Sequence, residues 1–294
     1  MSGPGGVAAP SCLFCGAPRR GYLCETCGIE QDADGIFRGR DRGHDDDVHY
    51  PEEGADLTAR VEETSFWFRH RNHVLELILD QYPPGGTLWD VGGGNGFQAM
   101  ALERSGRSVV LVEPGAPGCR NARQRGVTWV VQATLESLAL PSGWLHGISL
   151  LDVLEHLRDP RRVLRESQRV LRPGGRVYVT VPAFDVLWSD EDIFAEHERR
   201  YRKRTLAEDL EQSGFRVEYI THYFQPLFLP ILFLRSLPYR LTGGKPREMD
   251  LTEHQPGGVR LKVIEALLAR ERSALSHGKR LSFGSSLLAV GRKS

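Results

Sequence analysis

The sequence has no excess of charge of either sign and no hydrophobic run long enough to cross a membrane. Its 38 Lys and Arg residues match 38 Asp and Glu residues, so the formal net charge is +0 with His neutral. A neutral chain argues against broad electrostatic binding to nucleic acid. The apolar run at residues 226–234 is far shorter than the ~20 residues of a membrane-spanning helix. The composition therefore favours a globular protein.

The N-terminus lacks a basic segment followed by an apolar one, so we expect no secretory signal and a cytoplasmic protein. Cysteine is scarce outside one short region, which reads Cys12-x2-Cys15-x8-Cys24-x2-Cys27. Two closely spaced pairs can bring four thiolates to one Zn²⁺ ion. Two disulfides are the alternative, which a reducing cytosol disfavours. We predict a zinc ribbon and linker over residues 1–45.

A short apolar strand at residues 88–91 leads into a glycine loop and then a helix. The frame is Asp90-x-Gly92-x-Gly94-x-Gly96, in which glycine permits positive φ and close approach of a ligand. The acidic residue would repel the pyrophosphate of a dinucleotide but can receive an ammonium group. A second apolar strand ends at Glu113, where a carboxylate would take two ribose hydroxyls. Any nucleotide-binding Rossmann domain, or a tight strand–helix turn, remains an alternative for the loop alone.

On these residues the chain resembles the class I S-adenosylmethionine (SAM) dependent methyltransferases, whose first motif is an acid followed by G-x-G-x-G. The resemblance covers roughly residues 75–224 and a final strand at 286–290. It implies that SAM contacts lie at Asp90, Gly92, Gly94, Gly96, Glu113, Pro114, Ala133, Thr134 and Asp152. The family often places an Asp against the adenine, whereas this chain has Ala133 and Thr134 there, so we expect backbone contacts.

The motif Asp152-Val-Leu-Glu-His156 follows the fourth predicted strand, at the edge where open α/β sheets bind ligands. The resemblance implies that Asp152 faces the methionine part of SAM and that His156 lies where the acceptor meets the methyl group. A histidine titrates near neutral pH and can deprotonate a hydroxyl or amine. We predict His156 and His197 as candidate catalytic bases.

Alternating strands and helices predict a doubly wound, Rossmann-like α/β fold with a seven-stranded sheet over residues 46–294. Insertions at about 182–204 and 223–281 would build the acceptor side of the cleft. The first insertion supplies predicted acceptor contacts at Trp188, His197, Arg200 and Tyr201. Residues 65–72 combine three aromatic rings with three potential cations, and would either line the SAM pocket or cover the sheet as an amphipathic helix.

The predicted function is SAM-dependent transfer of a methyl group to O, N or C of a small or carrier-linked metabolite. An RNA methyltransferase is one alternative, because a bacterial rRNA guanine methyltransferase family also joins a cysteine zinc module to this fold. Its basic face could only come from residues 199–204. A non-catalytic SAM-binding scaffold is the other alternative.

The partner predictions rest mainly on the apolar run at 226–234. It would form either a core helix that closes the sheet edge or a surface that meets a lipid carrier. We expect a small-molecule or lipid-carrier-linked acceptor, with peripheral membrane contact and a homodimer left open. We expect no nucleic-acid partner.

Overall fold

The computed structural model describes residues 12, 14–17, 24–39, 59, 62–243 and 258–294. Part of the predicted linker and part of the second insertion, residues 244–257, lie outside the described residues. The predicted boundary near residue 45 also lies outside them, so the division into two domains stays a prediction.

Nine strands form one sheet in the described part of the chain. They are β1 Glu30–Gln31, β2 Phe37–Arg38, β3 Leu88–Val91, β4 Val109–Glu113, β5 Val130–Gln132, β6 Leu145–Leu151, β7 Leu171–Pro182, β8 Phe215–Tyr223 and β9 Ser286–Lys293. Their order is β1-β2-β5-β4-β3-β6-β7-β9-β8. Strands β2 to β7 pair in parallel, while β9 runs antiparallel between β7 and β8. Strands β3 to β9 confirm the predicted seven-stranded α/β sheet.

Helices cover both faces of the sheet and enclose two hydrophobic cores. They are α1 Phe66–Gln81, α2 Phe97–Arg104, α3 Ala116–Gln124, α4 Pro160–Val170, α5 Asp190–Phe194, α6 Lys203–Gln212, α7 Phe228–Ile231, α8 Leu237–Leu241 and α9 Gly258–Ser276. Ser65 begins α1 because its hydroxyl accepts the N–H of Trp67. Asp159 and Pro160 begin α4 in the same way, as the sequence predicts.

The strand order places a ligand edge at the centre of the sheet. From β3 the chain moves outward through β4 and β5, then crosses back to β6 on the other side of β3. The carboxyl ends of β3, β4 and β6 therefore meet at the point where the direction of winding reverses. Such switch points form the ligand crevices of open α/β sheets.

The N-terminal segment adds two strands that the sequence did not predict. Phe37 of β2 lies beside Val131 of β5 in parallel register. Phe14 is 1% exposed, and its ring centroid lies 5.3 Å from that of Phe37 and 5.9 Å from that of Trp89. The described cysteine segment thus shares a core with the strand that carries the glycine loop.

The apolar run of the second insertion folds into short helical turns with one packed face. Leu227 and Ile231 are buried, whereas Leu229, Phe233 and Leu234 are 56%, 58% and 70% exposed. The prediction of a core helix is therefore correct only for the face of this run that carries Leu227 and Ile231. None of the helices that the structure describes is long and apolar enough to cross a bilayer.

Candidate active site

The glycine loop leaves its backbone open to the cleft at Gly94. Gly92, Gly94 and Gly96 all have positive φ, which a side chain disfavours. A Cβ at Gly92 would lie 2.6 Å from Val153, and one at Gly96 would lie 2.8 Å from Ala122. A Cβ at Gly94 would meet no atom within 4 Å. The loop is packed on both sides of Gly94 and accessible at Gly94 itself.

Asp90 lies beneath this loop with one carboxylate oxygen in need of a donor. Its side chain is on β3, 1% exposed, and Ser149 Oγ donates to its Oδ1 at 2.8 Å. Its Oδ2 has no hydrogen-bond partner among the described residues. Burial raises the pKa of Asp90 to about 6, although Ser149 and Arg71 oppose the shift. A buried acceptor in this state fits the predicted ammonium group of SAM.

Glu113 joins the glycine loop to the start of α3. Gly94 N donates to its Oε2 at 2.9 Å, and Gly115 N donates to its Oε1 at 2.7 Å. Burial raises the pKa of this carboxyl group, and the two backbone N–H groups oppose the rise. Each carboxylate oxygen keeps a second lone pair. The carboxylate can therefore accept two ribose hydroxyls where the sequence expects them.

The residues predicted to surround the adenine meet at the ends of β4 and β5. Ala133 N donates to the carbonyl of Glu113 at 3.2 Å, and Gln132 Nε2 donates to the carbonyl of Pro114 at 3.4 Å. The Thr134 hydroxyl accepts the N–H of Ser137 within a local turn. Because that side chain is already engaged, an adenine contact through backbone groups stays the prediction.

Arg71 is the cleft residue that the sequence did not single out. It ion-pairs with Asp152, and its guanidinium lies 5.0 Å from the ring centroid of Phe68. Asp152 has a φ of 55°, and its Oδ1 accepts the Thr180 hydroxyl at 2.9 Å. Positive φ at a residue other than glycine is strain that often marks functional sites. The Arg71–Asp152 pair places both signs of charge beside the glycine loop.

The other two potential cations of residues 65–72 point elsewhere. Arg69 pairs with Glu265, and His70 contacts Glu271 at 2.8 Å, both on α9. The segment thus holds α9 with two side chains and reaches the cleft with a third. Helical spacing alone does not show which of the three cations contacts α9 and which one reaches the cleft.

The two candidate bases lie close together, on the side of the cleft where the sequence predicts the acceptor. His156 lies in a short 3-10 turn at Leu154–His156, and its ring centroid is 4.8 Å from that of His197. Burial, together with the charge of His197, lowers the pKa of His156 to about 4. His197 Nδ1 lies 2.9 Å from Asp192 Oδ1. The sequence placed these imidazoles in separate segments, and the fold brings them together.

The other predicted acceptor residues sit behind this pair. Arg200 donates to both carboxylate oxygens of Asp192, at 2.7 and 2.9 Å, and so holds the partner of His197. Tyr201 is buried, and burial raises the pKa of its hydroxyl. Trp188 is half-buried after the short helix 185–187. Direct acceptor contact by these three residues stays a prediction, because the structure shows Arg200 and Tyr201 turned into the interior.

The four N-terminal cysteines form a cluster with the dimensions of a metal site. Cys12 Sγ lies 3.7 Å from Cys27 Sγ, Cys15 Sγ lies 3.6 Å from Cys24 Sγ, and all four sulfurs lie within 4.8 Å of one another. A tetrahedral ion with bonds of ~2.3 Å to sulfur requires sulfur pairs about 3.8 Å apart. None of these cysteines forms a disulfide. The donor set fits a four-thiolate Zn²⁺ site.

Comparison with known proteins agrees with this geometry. A family model described as a methyltransferase domain matches residues 89–179. A ubiquinone biosynthesis O-methyltransferase of Pectobacterium atrosepticum is 34% identical over 100 residues, which are 32% of this chain and 42% of that protein. An uncharacterized methyltransferase of Mycobacterium sp. (strain JLS) is 41% identical over 95 residues, 32% of this chain and 37% of that protein. The match thus spans less than half of either relative.

Solved structures agree on the fold. A SAM-dependent methyltransferase from Thermotoga maritima aligns with a TM-score of 0.51 at 17% identity, over 82% of this chain and 95% of that one. A Haloferax volcanii protein solved with the Trm112 methyltransferase activator aligns with a TM-score of 0.54 at 18% identity, over 83% of this chain and 98% of that one. The family match thus shows a methyltransferase domain at residues 89–179, and the solved structures show that the chain has the α/β fold of SAM-dependent methyltransferases.

Proposed function

We propose that the protein transfers a methyl group from SAM to an oxygen, nitrogen or carbon atom of a small or carrier-linked acceptor. The observation that carries this proposal is the convergence of Gly94, Glu113 and the Arg71–Asp152 pair at one switch point of the sheet. When bound, SAM supplies a methyl carbon activated by a positively charged sulfur.

The charges of the cleft match those of the SAM amino acid group. That group carries a carboxylate and an ammonium, and the cleft offers the guanidinium of Arg71 beside the carboxylates of Asp152 and Asp90. The unpartnered Oδ2 of Asp90 would accept from the ammonium. Glu113, at the far side of Gly94, would hold the ribose hydroxyls. This arrangement would fix the direction of the methyl group.

The acceptor would enter from the side of the two insertions. The imidazoles of His156 and His197 lie there with their ring centroids 4.8 Å apart, and Asp192 fixes the orientation of His197. Holding the acceptor in line with the methyl group supplies most of the rate in such a transfer. Oxygen is the acceptor atom that the names of the ubiquinone biosynthesis relatives favour.

We also infer that the cysteine cluster holds one Zn²⁺ ion. The ion would keep Phe14 against Phe37 and Trp89, and would thereby support the strand that leads into the glycine loop. This gives the ribbon a structural role within the enzyme.

An RNA acceptor fits the surface less well than a small one. The basic cluster at residues 199–204 is largely neutralised or engaged: Arg200 pairs with Asp192, Arg204 pairs with Glu208, and Lys203 donates to a backbone carbonyl. By contrast, the exposed side chains of Phe233 and Leu234 favour a lipid-linked acceptor or a membrane surface.

The proposal is tested by SAM binding to Glu113→Ala protein. Loss of the charged acceptor should weaken SAM binding by about 1–3 kcal/mol, or roughly 5- to 150-fold, as measured by calorimetry. Glu103→Ala is the matched control, because Glu103 also accepts a backbone N–H, from Thr128, but outside the cleft. Equal affinities in wild type and Glu113→Ala would place the ribose elsewhere and remove the main support for this site.

A further inference from the structure

The acceptor end of the cleft contains a buried carboxylate, Glu155, that forms no ion pair within the described part of the chain. Glu155 is 0% exposed, and neither of its carboxylate oxygens has a hydrogen-bond partner among the described residues. A carboxylate in such a place is costly unless it binds a proton or a cation.

The neighbouring carboxylates have their own cations. Asp152 pairs with Arg71, and Asp192 pairs with Arg200. Neither arginine donates to Glu155. Each of these arginines is thus paired with another carboxylate, and Glu155 has no ion-pair partner of its own among the residues that the structure describes.

Two imidazoles stand beside the same carboxylate. One ligand atom each from Glu155, His156 and His197 lies within 4.8 Å of the other two. Ligand atoms on a single ion lie about 3–4 Å apart, so modest side-chain rotation would close the three on one cation. Two imidazoles and one carboxylate form a donor set used for divalent transition metals, with coordination positions left for other ligands.

The hydrogen bonds behind the imidazoles are those that metal-binding histidines use. His197 Nδ1 meets Asp192, which is itself held by Arg200 and by the N–H of Ser189. This contact leaves Nε2 of His197 with the lone pair that a metal requires. His156 hydrogen-bonds the backbone of Ala195. Carboxylate or backbone partners of this kind fix the tautomer and orientation of ligating histidines.

We propose that Glu155, His156 and His197 bind one divalent transition-metal ion at the acceptor end of the cleft. The proposal rests on the proposed methyltransferase function for its role and narrows the acceptor to one that presents an oxygen atom. A cation there would lower the pKa of an acceptor hydroxyl beside it, so that the proton leaves to water. The oxygen lone pair then forms a bond to the methyl carbon. The carbon–sulfur bond breaks, and its electron pair stays on sulfur.

This assignment changes the role of the two histidines from bases to ligands. It also gives Glu155 a function, which neither the glycine loop nor the base prediction supplied. The carboxylate, and not the imidazoles alone, becomes the residue whose replacement is most informative.

The test counts metal ions on the full chain with Mn²⁺ as the probe. Resident metal is measured by elemental analysis, and Mn²⁺ uptake is measured by the loss of the free-ion signal in electron paramagnetic resonance. Resident metal plus bound Mn²⁺ should be one equivalent per chain higher in wild type than in Glu155→Gln or His197→Ala. Comparing chains in this way removes the ribbon zinc from the count.

Matched variants separate metal binding from folding and from SAM binding. Glu198→Gln alters an exposed carboxylate next to His197 and should retain the full equivalent. Glu155→Gln has the shape of a protonated Glu155 but cannot become a carboxylate. Unchanged metal binding in that variant would therefore mean that Glu155 is not a ligand, and the proposal would be wrong. Wild type that takes up no Mn²⁺ at millimolar concentration, with no resident second metal, would also overturn it.

SAM calorimetry on the same samples distinguishes this proposal from the proposed function. SAM binding by wild type without the extra metal equivalent would overturn the metal site and leave the methyltransferase proposal intact. Metal binding by a wild-type protein that does not bind SAM would overturn the methyltransferase proposal and leave the metal site intact. Should one variant fail to fold, as judged by circular dichroism, the other variant and the wild-type titration decide the result.

Discussion

The affinity for SAM should depend on pH through Asp90. Burial raises the pKa of this carboxyl group to about 6 in the free protein. The ammonium of SAM favours the ionised carboxylate, so binding must first remove the proton from any protonated Asp90. Affinity should therefore rise as the pH rises through about 6 and then level off.

The magnitude follows from the ionised fraction. One pH unit below its pKa a carboxyl group is only about one-tenth ionised, so SAM should bind roughly tenfold more weakly near pH 5 than near pH 7, a difference of ~1.4 kcal/mol. Asp90→Asn should bind SAM more weakly at neutral pH and should lose this slope. Calorimetry at a series of pH values measures both effects.

A stability measurement provides an independent check on the same carboxylate. Its pKa in the folded protein lies above the ordinary value of 3.8, so ionisation of Asp90 costs folding free energy as the pH rises from about 4 to about 6. Above that range, Asp90→Asn should melt at the same temperature as wild type or higher. Glu103→Gln, outside the cleft, should keep the wild-type pH slope of binding. A wild-type affinity that is flat across this range, or an equal slope in Asp90→Asn, would refute the assignment of the ammonium to Asp90.

Three further predictions concern the ribbon, the insertion and the acceptor end. Metal analysis should find one Zn²⁺ per chain, which is lost in Cys24→Ser but kept in Cys119→Ser, because Cys119 is buried outside the cluster. Removal of the zinc should also alter the tryptophan fluorescence through Trp89. Cysteine disulfides without bound zinc would contradict this prediction. Wild type should float with anionic vesicles and Leu234→Asp should not, since Leu234 is exposed; failure of wild type to float would favour a soluble acceptor. Turnover by His156→Ala should fall roughly a hundredfold while SAM binding stays nearly intact, whether His156 acts as a base or as a metal ligand. Unchanged turnover would mean that the enzyme accelerates the transfer only by holding the two reactants together.

The sequence predicted the elements that depend on local chemistry. Glycines with positive φ, the apolar strands β3 and β4, and the Asp159–Pro160 helix start all have short-range physical causes that a sequence shows. The cysteine spacing likewise predicted a cluster with the sulfur separations of a metal site. Each of these features is determined by residues close together in the chain.

Long-range contacts account for what the sequence missed. Arg71 and Asp152 are 81 positions apart, and only packing of α1 over the cleft makes them an ion pair. The pairing of β2 with β5 joins a two-residue strand to the sheet, and a strand that short has no periodicity to detect. Glu155 lies in a motif that the sequence analysis identified, but the sequence does not show which carboxylates form ion pairs. The structure shows that Arg71 pairs with Asp152 and Arg200 pairs with Asp192, which leaves Glu155 without an ion pair in the described chain.

The half-exposed insertion shows a different limit. An apolar run of this length is equally consistent with a buried helix and with a surface helix, because hydrophobicity alone does not identify the neighbour. In the structure Ile231 packs inward while Phe233 and Leu234 face outward. The position of the surrounding elements, and not the composition of the run, decides between the two.

Titration of the full chain with SAM, compared with Gly94→Ala, tests the central claim most directly. A Cβ at Gly94 meets no protein atom within 4 Å, so the variant should fold, with only the ~1–2 kcal/mol strain of a left-handed alanine. The same Cβ would occupy the space predicted for SAM. We expect one SAM site per wild-type chain, with binding weakened at least tenfold, or ~1.4 kcal/mol, in folded Gly94→Ala. Wild type that binds no SAM, or a folded Gly94→Ala that binds it equally well, would contradict the account.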